Sequence, residues 1–130
     1  MAEGIAHQWL QQHEIRGWQA LSAGTWASNG CSISQGAVEA LQKLGIEFDG
    51  TSKVVTKKMV EGADFVICMT KSHQSAVSSL VDDSSHVGVL DPNSPIHDPI
   101  GQEQSVYDST AAQLESLIVA RLEALIQQKA

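Results

Sequence analysis

The stretch Ala63-Asp64-Phe65-Val66-Ile67-Cys68-Met69 decides the fold. A half-wet antiparallel strand would alternate apolar and polar residues. The unbroken apolar run from Phe65 to Met69 instead has the length and composition of a parallel strand covered on both faces. Upstream, Thr56 is placed to cap a short helix carrying Met59 and Val60. Downstream, Thr70 or Ser72 caps a helix with Ala76, Val77 and Leu80, and His86-Val87-Gly88-Val89-Leu90 makes another short strand. Strands alternating with helices predict an α/β domain, a three-layer α/β/α arrangement around a parallel sheet.

Moving outward, residues 1–14 read as a helix in which Ile5, Trp9 and Leu10 share a face. Trp18 to Ala23 alternates weakly as a strand and stops at Gly24, and Thr25 to Ser32 has loop composition. Ser34 is an N-cap for a helix with Ala37, Val38, Leu41 and Leu44 on one side, ended by Gly45. All three prolines fall between Asp91 and Gly101, a shaped loop. Beyond it Tyr107, Ala111, Leu114, Ile118, Leu122 and Leu125 repeat at three and four, the signature of one long helix. A doubly wound sheet normally opens on a strand, and here no strand feeds the first helix.

With 130 residues, 42% hydrophobic and 18% charged, the chain reads as one domain spanning 1–130. Eight Lys and Arg against a net charge of −7 exclude an extended basic stripe, and with it nucleic acid and anionic membranes as expected partners. No segment approaches the ~20 apolar residues of a membrane helix. Two unpatterned cysteines, Cys31 and Cys68, make neither a disulfide framework nor a zinc site and fit a reducing cytoplasm. His7, His13, His73, His86 and His97 share no metal-ligand spacing, so neither a metal nor an organic cofactor is expected.

Four segments carry a resemblance: Met1-Ala2-Glu3-Gly4, Ser22-Ala23-Gly24-Thr25, the Ala63–Met69 strand, and Asp98-Pro99 with Tyr107 nine residues after Asp98. In this order and spacing the chain resembles a low-molecular-weight protein tyrosine phosphatase, a phosphotyrosine phosphatase I-like fold, across essentially every residue present. The family's first strand and Cys-x5-Arg-Ser phosphate loop lead directly into a helix like that at Met1. Neither cysteine supplies that loop, since Ala37 stands six residues after Cys31 and Gln74 six after Cys68. The resemblance therefore implies a start at an internal methionine or a truncated form, inactive as written. It also implies that Ile5, Trp9 and Leu10 are partly exposed and that unpaired strand edges invite self-association.

In the resembled family a cysteine thiolate attacks phosphorus, a phosphocysteine forms, and an aspartate serves first as acid and then as base. Asp98 matches that aspartate, although an Asp-Pro pair is also an ordinary turn former. Ser22 stands where the family's serine braces the phosphate loop, and Trp26 where an aromatic walls the substrate cleft. Both also have plain structural readings, as a strand-end hydroxyl and a half-buried loop ring.

Phosphotyrosine enzymes place aromatics after Asp-Pro, whereas here Ile100 and Gly101 follow. That sequence is closer to the Asp-Pro-Phe-Gly type of protein-arginine phosphatases. The implied activity is dephosphorylation of protein phosphotyrosine, with phosphoarginine or a small phosphomonoester as alternative substrates. A non-catalytic phosphatase-like remnant or binding module is a further reading. Arsenate reductase ranks lower, because the segment Met69 to Leu90 lacks the second thiol it would need.

Overall fold

The computed structural model describes residues 1–25, 30–48 and 50–129. The elements run α1 (Ala2–Gln12), α2 (Gln35–Lys43), α3 (Lys57–Gly62), β1 (Val66–Cys68), α4 (Lys71–Ser78), β2 (Val87–Val89) and α5 (Gln104–Lys129). They fall into two compact units. One comprises Met1–Ser22, Ser32–Thr51 and Asp98–Ala130, the other Ala23–Cys31 and Ser52–His97.

The first unit is helical. The Ser34 hydroxyl accepts the Ala37 N–H and starts α2. Gly45, at φ +78°, stops that helix, with Gly45 N–H bonded to Gln42 O and Ile46 N–H to Leu41 O, the paired bonds of a Schellman cap. A second such cap ends α1, where Ile15 N–H reaches Leu10 O, but there Glu14 occupies the left-handed position at φ +53°. Leu41 and Ile5 are almost wholly buried.

The expectation that Ile5, Trp9 and Leu10 are partly exposed is corrected here: Ile5 and Leu10 are core residues and only Trp9 is half-buried. Helix α5, which packs against α1, accounts for this. Gly4 lets the Phe48 ring and Leu41 approach α1 so closely that a Cβ at position 4 would lie 3.0 Å from Phe48 Cγ.

A second cluster joins α2 to α5 through Ala37, Ala40, Tyr107 and Ala111, with Met1, Ile33 and Leu44 packed against it. Small residues permit this approach, and Gly36 is where it is tightest. A Cβ there would stand 2.6 Å from Cδ2 and Cε2 of Tyr107, inside any tolerable contact.

The second unit holds a two-stranded parallel sheet in which Val66 pairs with Val87, Ile67 with Gly88 and Cys68 with Val89. Thr56 caps α3 by accepting the Met59 N–H, and Thr70 caps α4 by accepting that of His73. Val60, Cys68, Val77 and Val87 form the core of this unit. Burial pushes the Cys68 thiol above its usual pKa, as suits an inert core cysteine.

The expected strand over Trp18–Ala23 is not formed. Only a single parallel bridge, Gly24 with Val54, follows it, made by Gly24 N–H to Lys53 O and Val55 N–H to Gly24 O. The alternation is too weak to hold a ladder: Gln19, Ala20, Ser22 and Ala23 have low β preference, and Leu21 is 68% exposed, so it anchors nothing.

Gly36→Ala tests the α2–α5 contact. Overpacking should cost about 1–3 kcal/mol of unfolding free energy in urea, whereas Gly62→Ala, where a Cβ meets nothing within 4 Å, should change stability little or raise it.

Candidate active site

The site is built in the first unit around the start of α1. The first N–H groups of a helix have no acceptor within it, and the macrodipole concentrates partial positive charge there. No side chain caps α1, whose opening backbone bond is Ile5 N–H to Met1 O. Glu3 lies in the first turn, the favourable end for a carboxylate. Ser22 donates its hydroxyl hydrogen to Glu3 Oε1 at 2.8 Å, which fixes that hydroxyl beside the helix mouth.

Asp98 arrives from the other end of the sequence. Its Oδ1 accepts the Ile100 N–H at 3.1 Å, and Gln102 N–H closes a turn onto Pro99 O at 2.9 Å. Gly101 takes the left-handed position of this turn at φ +78°, a conformation that glycine adopts without strain. Pro99 is buried while Asp98 is exposed, so the turn is anchored by its proline and presents its carboxylate outward.

Electrostatics link the two ends. Burial pushes the Met1 α-amino group below its ordinary value near 8.0, and the carboxylates of Glu3 and then Asp98 pull it partly back. Asp98 therefore lies within electrostatic reach of the α1 mouth.

The start of α5 holds the turn in place. Gln104 donates from Nε2 to Gly36 O at 3.0 Å and to Asp108 Oδ1 at 2.9 Å, and Lys43 Nζ bonds Asp108 Oδ2 at 2.5 Å. With Tyr107 lying on Gly36, these contacts fix the first turn of α5 against α2.

The sequence-derived residues fare differently. Asp98 and Ser22 both belong to the unit that contains the α1 mouth; Ser22 is hydrogen-bonded to its first turn, and Asp98 is within electrostatic reach of the Met1 α-amino group. Ile100 follows in the same turn and is 71% exposed. Trp26 lies outside the described residues. Cys31 is exposed and Cys68 buried, both in the second unit. Among the described residues, no group of three or more His, Cys, Asp or Glu side chains is arranged to hold a metal ion.

Sequence reasoning missed Glu3 as the acceptor for Ser22, because a bond across 19 residues has no local signature. It also missed Gly36, for which a signal was present: an isolated glycine inside a helix is unfavourable unless close packing requires it.

This arrangement offers a carboxylate able to give or take a proton beside a helix end suited to an anion, with a tethered hydroxyl alongside. The chain matches the family model of the low molecular weight phosphotyrosine protein phosphatases over residues 1–130, and it belongs to that family. Among characterised relatives it is 30% identical to a protein-arginine-phosphatase of Bacillus subtilis over 110 residues, covering 75% of this chain and 69% of that protein. It is 27% identical to the protein-arginine-phosphatase of Geobacillus stearothermophilus over 115 residues, covering 84% and 78%. A crystal structure of the low molecular weight protein tyrosine phosphatase from T. tengcongensis superposes with a TM-score of 0.88 at 31% identity, covering 95% of this chain and 88% of that one. The fold is thus the α/β fold of these phosphatases.

Hydrogen bonds from Lys43 and Gln104 hold the Asp108 carboxyl below the usual carboxylate range. A depressed folded-state pKa means that its contribution is present above the unfolded value, near 3.8, and disappears as pH falls through the folded value. Asp108→Asn should therefore lower stability at pH 7 relative to wild type. Urea midpoints measured down the pH scale should show that difference vanishing only below about pH 4.

Proposed function

We propose that this chain carries the acid–base half of a phosphocysteine-type protein phosphatase, with phosphoarginine in proteins as its substrate. The observation that carries this reading is the placement of Asp98 within electrostatic reach of the α1 mouth, beside which Glu3 tethers the Ser22 hydroxyl. A phosphoryl group bound at a helix N-terminus has its charge met by N–H donors, and an adjacent carboxylic acid is positioned to protonate the leaving group. The same carboxylate then serves as base for the water that hydrolyses the phosphoenzyme. In this reading Asp98 is the catalytic acid/base, Ser22 braces the anion-binding loop, and Ile100 lines the approach of the substrate.

Support for phosphoarginine comes from the turn itself. Ile100 offers a small, exposed apolar surface where an aromatic would pack against a phenyl ring, and a flexible guanidinium needs no such wall. The two arginine-phosphatase relatives agree with this choice. Phosphotyrosine is the second reading, favoured by the fold match to a tyrosine phosphatase at 31% identity. The family match running from residue 1 to 130 supports treating the chain as one phosphatase domain. Among the described residues no helix is long and apolar enough to cross a membrane, and two free cysteines suit the cytoplasm we propose as its compartment.

No Arg stands six residues after either cysteine, so the 130 residues alone contain no Cys-x5-Arg nucleophile loop. An aspartate by itself cannot form the phosphoenzyme, so purified 130-residue protein should not hydrolyse p-nitrophenyl phosphate above background. Joining a strand and a Cys-x5-Arg-Ser loop ahead of Met1 should restore turnover. Asp98→Asn in that extended protein should then lower kcat by about 10²–10⁴-fold. Turnover by the 130 residues that is lost in Asp98→Asn, or an extended protein indifferent to Asp98, contradicts this assignment. An extended protein that folds and stays inactive favours the non-catalytic remnant.

A further inference from the structure

We propose that the groove between α1 and α5 docks a cationic amphipathic helix of a partner protein, at a surface separate from the catalytic residues assigned above. The groove encloses about 490 Å³ and lies wholly within the first unit. Ile5 and Ile46 are buried beneath it, Trp9 and Val119 are its half-buried apolar side chains, and its α5 rim carries Glu115 and Glu123. Among the described residues lining it none is basic.

Trp9 gives this surface an anchor. It is half-buried and stacks on the His13 ring at 4.5 Å between centroids, which holds the indole in place before any partner arrives. Tryptophan is among the side chains enriched at the energetic centre of protein interfaces.

The rim selects the occupant by charge. Glu115 and Glu123 are eight residues apart on α5, about two turns or ~12 Å along its axis, and among the described residues neither is paired with a cation. A helix laid along the groove with two basic side chains at the same spacing meets both carboxylates while its apolar face covers Trp9 and Val119. Charge disfavours the other candidates for this face. A two-fold pair of copies would bring four carboxylates together on chains of net charge −7, and an anionic membrane would meet the same repulsion.

The test uses the 130-residue protein, uniformly labelled with ¹⁵N, and two synthetic 14-residue amphipathic peptides sharing one apolar face. One has lysines two turns apart on its polar face and the other has glutamates there. The lysine peptide should bind saturably, with amide shifts confined to residues 5–12 and 115–123, and should weaken as salt rises from 50 to 300 mM. Glu115→Gln combined with Glu123→Gln should reduce its affinity about three- to tenfold, and Val119→Lys should abolish binding, both with an unchanged circular dichroism spectrum.

The glutamate peptide should not bind. Absence of saturable binding by the lysine peptide, equal binding of both peptides, or shifts centred elsewhere would overturn the proposal. So would a concentration-dependent dimer in sedimentation velocity that is broken by Val119→Lys, since a second copy would then be the occupant.

Discussion

The close approach of the Tyr107 ring to Gly36 is the constraint on which the candidate site depends. A side chain at position 36 would collide with that ring, so α2 and α5 pack at this distance only because the glycine has none. Met1 packs on the same cluster, which brings the first residue of the chain and the first turn of α5 to one piece of core. The turn carrying Asp98 ends where α5 begins, so fixing Tyr107 fixes how far that carboxylate can stray from the α1 mouth. Gln104 donating to Gly36 O and Lys43 bonding Asp108 reinforce the junction, but the ion pair ends on a partly exposed carboxylate and counts for less than the packing.

Charge completes what packing begins. Carboxylates at positions 3 and 98 converge on a helix end whose own dipole is positive, a favourable arrangement for both. Glu3 is engaged by Ser22, whereas Asp98 spends one oxygen on its own turn and stays exposed. The two carboxylates thus have different environments, one bonded to Ser22 and one exposed.

Local signals in the sequence were legible where one or two residues determine the outcome. Caps at Ser34, Thr56 and Thr70, the stop at Gly45 and the apolar strand around Val66–Cys68 all depend on chemistry within a few residues, and each is found where the pattern places it. The Trp18–Ala23 segment was read less well, because a weakly alternating strand exists only if a ladder accepts it, and the sequence contains no information about that partner. Burial of Ile5 and Leu10 was misjudged for a related reason: α5, which packs against α1, comes from about 100 residues downstream. The Asp-Pro motif drew attention to Asp98, whereas the bond from Ser22 to Glu3 had no such signal, being a long-range pair between common polar residues.

The most direct measurement of this account is the titration of the Met1 α-amino group by NMR in wild type and in Asp98→Asn. If Asp98 faces the mouth of α1, removing its charge removes one of the two carboxylates that raise this group's pKa, and the α-amino group should titrate at a lower pH in the variant. An α-amino titration unchanged by the substitution would place Asp98 away from the helix mouth and contradict the assignment.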